Sequence, residues 1–166
     1  MKSLRWLYAN FEEILSAFFL AVMIAALSLQ VVMRATTGGS VPWAEELSRY
    51  TFVWAVYFGA SLAAKRAGHV RITAQFMLVP FKVKVAFRFI SDLIWVGFNI
   101  FFAVYGVEML ADSFRYPEIS PTLGIVKAYV ECIIPIAFFL MSWRTIELYI
   151  KNWGHWERLS IESEGV

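Results

Sequence analysis

Long apolar stretches separated by short polar segments dominate the chain, and they indicate membrane-spanning helices. Residues 14–33 form a run of 20 residues without a charged side chain, which is about the length that a helix needs to cross the roughly 30 Å hydrocarbon core of a bilayer. The apolar region of a signal peptide is shorter, about 7–15 residues. This stretch is therefore predicted to be a retained transmembrane helix that begins just after Glu12 and Glu13.

The second span is predicted from a shorter apolar stretch. Residues 50–64 would measure only about 22 Å as a helix, which is too short to cross. Extending the helix back to Trp43 gives a span over residues 43–64. Its first two turns then carry three charged side chains: Glu45, Glu46 and Arg49. Trp43 is typical of the aromatic anchors that lie at the membrane interface.

These charges are predicted to form a cluster on one face of the second span. Glu45 and Arg49 stand four residues apart with the acid first, which is the favoured order for an ion pair on a helix. Glu46 lies on the same face, and Arg34, at the end of the first span, could pair with it. We expect the cluster to hold the first two helices together and to meet a partner. The alternative is that these residues are simple interfacial anchors.

Two further apolar stretches complete the predicted architecture. Residues 89–111 and 128–146 are each long enough to cross a membrane, and Pro135 is expected to kink the second of them. The chain is thus predicted to be an all-α membrane protein with four transmembrane helices, in a single membrane domain over residues 1–166. Stripes of small residues, which allow close helix packing, occur in the first two spans: Ala17, Ala21 and Ala25, then Gly59, Ala63 and Ala67.

Short amphipathic stretches precede the first and third spans. Apolar residues with helical spacing fill the first of these stretches, and Pro80 opens the second. We expect short interfacial amphipathic helices that lie on the membrane surface. The alternative is that these residues are the first turns of longer, tilted spans.

The distribution of basic residues predicts the orientation. With four spans, the N-terminus, the middle loop and the C-terminus share one side of the membrane. That side contains 11 of the 15 lysines and arginines, and the other side contains four: Arg34, Arg49, Arg115 and Lys127. Under the positive-inside rule, both termini are predicted to be cytoplasmic.

Composition supports a membrane location and excludes several functions. Hydrophobic residues make up 60% of the chain and the mean hydropathy is +0.61, which is more apolar surface than so small a protein can bury internally. The lipid bilayer is therefore an expected partner. A net charge of +2 leaves no basic face for nucleic acid. Cys132 is the one cysteine and the two histidines are far apart, so no catalytic, cofactor or metal-binding residues are predicted, and no enzyme is expected.

The second span and its flanks also resemble a known family. The resemblance is carried by a motif of tryptophan, two glutamates and arginine and by the segments around it: residues 30–34, 42–49, 58–60, 65–66 and 68–72. These segments are similar to the small membrane subunit (DctQ-like) of tripartite ATP-independent periplasmic (TRAP) transporters. Gln30, where asparagine is common, and Lys127 with Ala128, which replace a frequent proline–tryptophan pair, depart from the family pattern.

The resemblance implies a non-catalytic scaffold in the bacterial inner membrane. In this family the small subunit holds a large multi-span membrane subunit that moves sodium and substrate, and a periplasmic substrate-binding protein delivers an organic acid to the pair. Seven residues are then candidates for partner contact or structural roles: Arg34, Trp43, Glu45, Glu46, Arg49, Gly59 and His69.

Two other functions stay open at this point. A small self-contained dimeric exporter needs an acidic residue deep in the first span, and residues 14–33 contain none. A membrane anchor of a redox enzyme needs paired intramembrane histidines for haem. Neither His69 nor His155 lies in a predicted span.

Overall fold

The computed structural model of the chain describes residues 2–66 and 80–151, which are almost entirely helical. An isolated bridge between Ile119 and Val126 is the only β contact among these residues. The predicted all-α architecture is therefore confirmed. The helices occur in this order: α1 (Lys2–Thr37), α2 (Pro42–Lys65), α3 (Phe81–Arg115), α4 (Ala128–Glu131) and α5 (Ile133–Lys151).

Three segments of the described residues are long and apolar enough to cross a membrane: Trp6–Thr37, Val83–Arg115 and Ala128–Lys151. They contain the spans that were predicted at residues 14–33, 89–111 and 128–146. α2 coincides with the predicted span 43–64 to within one residue at each end. It is less apolar than the other long helices and is not one of the three segments.

The expected short interfacial helices are not separate elements. α1 runs from Lys2 without interruption, and α3 begins at Phe81 and continues through its apolar stretch. Residues 2–37 contain neither glycine nor proline, so no residue interrupts the backbone hydrogen bonds of α1. Pro80 precedes the first helical residue and starts α3 instead of breaking it. The two amphipathic stretches are therefore the first turns of longer helices, and the 36 residues of α1 extend over about 54 Å.

The last span is interrupted close to Pro135. α4 ends at Glu131 and α5 begins at Ile133, with Cys132 between them. A proline has no N–H to offer the carbonyl group four residues earlier, and its ring clashes with that carbonyl. For Pro135 the carbonyl belongs to Glu131, where α4 ends. This one-residue interruption lies where the loss of that hydrogen bond is expected, and the kink at Pro135 stays a prediction.

The long helices pack in the order α1, α2, α5, α3. α1 is antiparallel to α2 and α3 is antiparallel to α5, whereas α2 and α5 run parallel. α1 and α3 begin, and α2 and α5 end, at one end of the bundle, which we call end A. The contact between Arg66 and Glu13 lies there. The connections over residues 38–41 and 116–127 lie at the opposite end, which we call end B. α2 and α5 thus occupy the centre of the row.

α1 and α2 approach each other along a face of small and aromatic residues. The Ser16 hydroxyl donates to the Ala55 carbonyl oxygen (3.0 Å). Gly59 lies opposite, where a Cβ atom would be 3.5 Å from the Ser16 Oγ. The rings of Phe19 and Phe58 stack with their centroids 6.1 Å apart. The alanine stripe of α1 is not used in this contact, since Ala17, Ala21 and Ala25 are exposed.

Large apolar side chains remain exposed on the two outer helices. Val31 and Phe18 of α1 are 68% and 57% exposed, and Ile94 and Leu93 of α3 are 67% and 60% exposed. Soluble proteins rarely expose so extensive an apolar surface. These faces are therefore suited to lipid or to the helices of a partner.

Candidate functional site at the two ends of the bundle

The first two turns of α2, at end B, hold the predicted charged cluster. Pro42 starts the helix, and Trp43 beside it is 42% exposed. Glu45 and Arg49 form the expected ion pair one turn apart, with 51% and 72% of their side chains exposed. A pair this open contributes at most about 1 kcal/mol to stability because water screens it. Its charges are therefore accessible to a partner.

Glu46 has different partners from the one expected. Its Oε2 accepts hydrogen bonds from the backbone N–H groups of Thr122 (3.1 Å) and Leu123 (3.3 Å) and from the Thr122 hydroxyl. Its Oε1 accepts a hydrogen bond from the Tyr50 hydroxyl (2.7 Å). Arg34 is exposed and is not among these partners. The pairing of Arg34 with Glu46 does not form, because residues 116–127 fold back over the start of α2 and supply backbone donors instead.

Residues 116–127 form a tight hairpin between α3 and α4. The bridge between Ile119 and Val126 pairs its two arms. The backbone N–H of Ser120 donates to the carbonyl oxygen of Ile125 (2.8 Å). Gly124 has a φ of +67°, in the left-handed region that glycine adopts most readily. Hydrogen bonds between backbone groups of the hairpin itself are therefore enough to close it.

An ion pair closes the hairpin at its base, and a carboxylate of α2 holds its tip. At the base, Lys127 pairs with Glu118 (2.9 Å), and the hydrogen bond and charge of this pair lower the pKa of Glu118 and raise the pKa of Lys127. At the tip, Glu46 holds the backbone of Thr122 and Leu123. The hairpin and the first two turns of α2 therefore form one continuous surface, which we call the end-B surface.

The structure brings only some of the predicted site residues together. Trp43, Glu45, Glu46 and Arg49 all lie in the first two turns of α2. Gly59 lies farther along the same helix, at the contact with α1. Arg34 lies in the last turn of α1. The seventh candidate, His69, lies outside the described residues.

End A contains the most deeply buried ion pair of the described residues. Glu12 of α1 pairs with Arg144 of α5, and 0% and 1% of their side chains are exposed. Arg144 also donates to Glu147 Oε2 (2.6 Å) and to the Tyr8 carbonyl oxygen (3.1 Å). Its guanidinium group lies 4.6 Å from the centre of the Tyr8 ring. Burial of this charge is tolerated because its donors are engaged by acceptors.

Two lysines extend this buried pair to the surface. Lys65, the last residue of α2, lies 3.2 Å from Glu12 Oε2 and donates to the Ala9 carbonyl oxygen. Lys151, the last residue of α5, lies 2.7 Å from Glu147 Oε1. The resulting contacts connect α1, α2 and α5. We call the five charged residues the end-A network: Glu12, Lys65, Arg144, Glu147 and Lys151.

α3 also brings polar side chains into its contacts with its neighbours. The Tyr149 hydroxyl donates to Asp92 Oδ2 (2.5 Å), and the Ser113 hydroxyl donates to Glu131 Oε2 (2.7 Å). Asp92 and Glu131 therefore take part in contacts between helices. Asn99, which was not predicted, is fully buried near the middle of α3 and donates to the Trp95 carbonyl oxygen (2.7 Å).

The end-A network was not predicted, although one signal for it was present. Arg144 lies inside the predicted span 128–146, and a charge within a span usually faces protein and is paired. Applied to Arg144, this rule requires a buried acidic partner. Glu12 is a suitable acidic partner. It lies one turn before Ser16, which faces α2, and therefore lies on the side of α1 that faces the other helices. The pairing itself could not be read from the sequence because it depends on which helices become neighbours.

Comparison with known proteins shows the family to which these features correspond. The family model described as tripartite ATP-independent periplasmic transporters, DctQ component, matches residues 23–154. The match covers well over half of the chain. It includes the start of α2, the hairpin and the whole of α5.

Individual relatives agree with this match. The sialic acid TRAP transporter small permease protein SiaQ of Vibrio cholerae is 29% identical over 150 residues, which cover 89% of this chain and 84% of the relative. The ectoine TRAP transporter small permease protein TeaB of Halomonas elongata is 23% identical over 146 residues, 88% of this chain and 76% of the relative. The isethionate TRAP transporter permease protein DctMQ of Oleidesulfovibrio alaskensis is 23% identical over 150 residues, which are 87% of this chain but 24% of that protein.

Proposed function

The chain belongs to the DctQ family of the tripartite ATP-independent periplasmic (TRAP) transporters, and on that premise we propose that it holds a large permease subunit in place for organic-acid uptake. The observation that carries this proposal is the family match over residues 23–154. In the proposed complex the large subunit performs the sodium-coupled transport step. The present chain neither catalyses a reaction nor moves the substrate by itself.

The proposed partner is a separate, large multi-span permease. Support comes from the isethionate permease protein DctMQ, of which this chain matches 24%. In that relative, a segment similar to this chain is part of a much longer permease chain. We infer that the remainder of such a chain corresponds to the large partner of the present protein.

Substrate choice is proposed to reside in the partners. The names of the relatives refer to sialic acid, ectoine and isethionate, although the aligned segments cover similar parts of this chain. Such variety supports a subunit that contributes structure and no substrate-binding residues. The organic acid would then be selected by the periplasmic substrate-binding protein and the large subunit.

We propose four crossings of the bacterial inner membrane with both termini in the cytoplasm. Three segments are long and apolar enough to cross, and α2 packs between α1 and α5 with 24 residues, or about 36 Å of helix. The excess of 11 of 15 basic residues on the side of the termini supports a cytoplasmic end A. End B is then periplasmic.

The end-B surface is proposed to meet the large subunit or the periplasmic binding protein. Trp43, Glu45 and Arg49 are exposed there and are proposed to contact the partner. Glu46 is proposed to act indirectly, by positioning the hairpin. Gly59 is proposed to be a packing residue between α1 and α2, and Arg34 and His69 remain proposed contacts with a partner.

Co-purification tests the proposed assembly. The full-length chain with an affinity tag is expressed together with the large permease of its own organism, and the membranes are extracted in a mild detergent. We expect both proteins to elute together in a fixed ratio, and an unrelated four-span membrane protein with the same tag to elute alone. Elution of the tagged chain without the large permease would contradict the proposal.

A further inference from the structure

An open groove lies beside the end-A network, between the start of α1 and the end of α5. Its apolar wall includes Leu7, Tyr8 and Phe11. Its charged lining consists of three cations and one carboxylate: Lys65, Arg144, Lys151 and Glu147. Leu7 and Tyr8 are 51% and 48% exposed, so the wall is accessible from the membrane. An apolar wall beside cationic groups at the end of membrane helices suits an amphiphile with a negatively charged headgroup.

The end-A network has one positive charge in excess within the described residues. Its three cations, Lys65, Arg144 and Lys151, share the two carboxylates of Glu12 and Glu147. Arg144 contacts both carboxylates and is excluded from solvent, whereas 24% of the Lys65 side chain and 66% of the Lys151 side chain are exposed. An anion that enters the groove therefore meets the ammonium groups of the lysines. At the edge of a membrane this attraction is stronger than in bulk water.

Tyr8 adds a hydrogen-bond donor to the same groove. Its hydroxyl oxygen accepts a hydrogen bond from the Trp143 indole N–H (3.1 Å). The proton of the Tyr8 hydroxyl can therefore be donated to another acceptor. Tryptophan and tyrosine commonly lie at the level of lipid headgroups, where a phosphate oxygen is such an acceptor.

We propose that this groove binds an anionic phospholipid of the phosphatidylglycerol class. Its phosphate group binds Lys65, Lys151 and the Tyr8 hydroxyl, and one acyl chain lies along Leu7 and Phe11. The lipid supplies the negative charge that the end-A network lacks and connects the start of α1 to the end of α5. A free phosphate ion would match the charge but would leave the apolar wall uncovered, so the occupant is the lipid.

Lipid retention measured by native mass spectrometry tests the site. The full-length chain is reconstituted in nanodiscs with equal amounts of phosphatidylglycerol and phosphatidylcholine and is then released gently. One lysine near an anionic membrane surface contributes about 1 kcal/mol, or roughly a fivefold preference. We therefore expect the wild-type chain to retain phosphatidylglycerol over phosphatidylcholine by about fivefold.

Two matched lysine variants locate the preference. Lys151→Gln makes the end-A network neutral without altering the buried pair of Glu12 and Arg144, and we expect it to retain the two lipids equally. Lys127→Gln removes the same charge at end B, where the lysine pairs with Glu118, and we expect it to keep the wild-type preference. Tyr8→Phe removes a hydrogen bond to the phosphate group that both lipids carry, so we expect it to lower the retention of both lipids without changing the preference.

Several results would overturn the proposal. Equal retention of both lipids by the wild-type chain would show that the groove has no anionic selectivity. A full preference in Lys151→Gln would place the lipid elsewhere. Lipid retention at the wild-type level in Tyr8→Phe would do so as well. Displacement of the lipid by millimolar inorganic phosphate would show that an anion suffices and that the apolar wall has no role.

Discussion

Glu12 and Arg144 are separated by 132 positions in the chain, yet they form an ion pair from which solvent is excluded. The pair joins α1 to α5. α2 contributes Lys65 and the Ser61 hydroxyl, which lies 3.5 Å from Glu12 Oε1. Three helices therefore depend on one carboxylate at end A.

Removing the arginine of this pair should destabilise the fold strongly. Arg144→Gln leaves the buried carboxylate of Glu12 with Lys65 as its remaining cation. Breaking a buried ion pair on one side typically costs about 3–5 kcal/mol of unfolding free energy. To measure this loss, the full-length chain is held in a mild detergent and its unfolding is followed as a denaturing detergent is added. Arg49→Gln is the matched control, because its exposed pair should contribute less than about 1 kcal/mol.

Neutralising both partners should recover part of that stability. In the double variant Glu12→Gln with Arg144→Gln, no unpaired carboxylate is left between α1 and α5, so the loss should be smaller than in Arg144→Gln alone. If Arg144→Gln is no more destabilising than Arg49→Gln, the end-A network does not hold the helices together.

Loss of the Glu46 charge should release the hairpin without unfolding the bundle. Glu46→Gln weakens the hydrogen bonds that the carboxylate accepts from the N–H groups of Thr122 and Leu123. Hydrogen bonds to a charged acceptor are about twice as strong as neutral ones. We expect hydrogen–deuterium exchange of these two amides to become roughly five- to tenfold faster. Glu45→Gln should leave their exchange unchanged, and equal exchange in both variants would contradict the assigned role.

Under the proposed function, Arg49 should matter for assembly and not for the fold. Arg49→Ala removes an exposed cation from the end-B surface, so we expect normal insertion of the chain but lower recovery of the complex or slower uptake. The reversed pair, Glu45→Arg with Arg49→Glu, should recover part of the loss if the two residues act as partners. If Arg49→Ala assembles and supports uptake at wild-type levels, the cluster is an interfacial anchor and does not contact a partner.

Reporter fusions should show whether α2 crosses the membrane. The proposed topology places a reporter near Gly68 and one after Val166 in the cytoplasm, and reporters near Gly39 or Pro117 in the periplasm. Alkaline phosphatase, which is active only in the periplasm, and a fluorescent protein that matures in the cytoplasm give opposite readouts at each position. Reporters at Gly39 and Gly68 on the same side would mean that α2 does not cross.

Helix positions were largely predictable because the sequence contains their physical causes. An uncharged run of 20 residues lies within α1, and Pro42 stands at the start of α2. The interruption at Cys132 follows from the position of Pro135. The predicted span 14–33 lies within α1, which starts earlier because the polar residues before Ile14 do not end a helix. Its backbone bonds continue through Glu12 and Glu13.

Side-chain partners were harder to predict because they depend on which helix faces become neighbours. Glu45 and Arg49 were paired correctly, since both lie on one helix and the spacing determines the contact. Glu46 was assigned the wrong partner, because the hairpin that binds it is 76 positions away in the chain. The alanine stripe of α1 was a weak guide to packing. In a helix that is apolar all round, sequence periodicity does not distinguish the face that meets α2.

Uptake by reconstituted liposomes tests the central claim, that the chain is a scaffold within a transporter. Liposomes are prepared with this chain alone, with this chain and its large permease, and with both in the presence of the periplasmic binding protein, all under an inward sodium gradient. We predict sodium-dependent uptake of the organic acid only in the third preparation and none by the chain alone. Sodium-dependent uptake by liposomes that contain this chain as their sole protein would contradict the account.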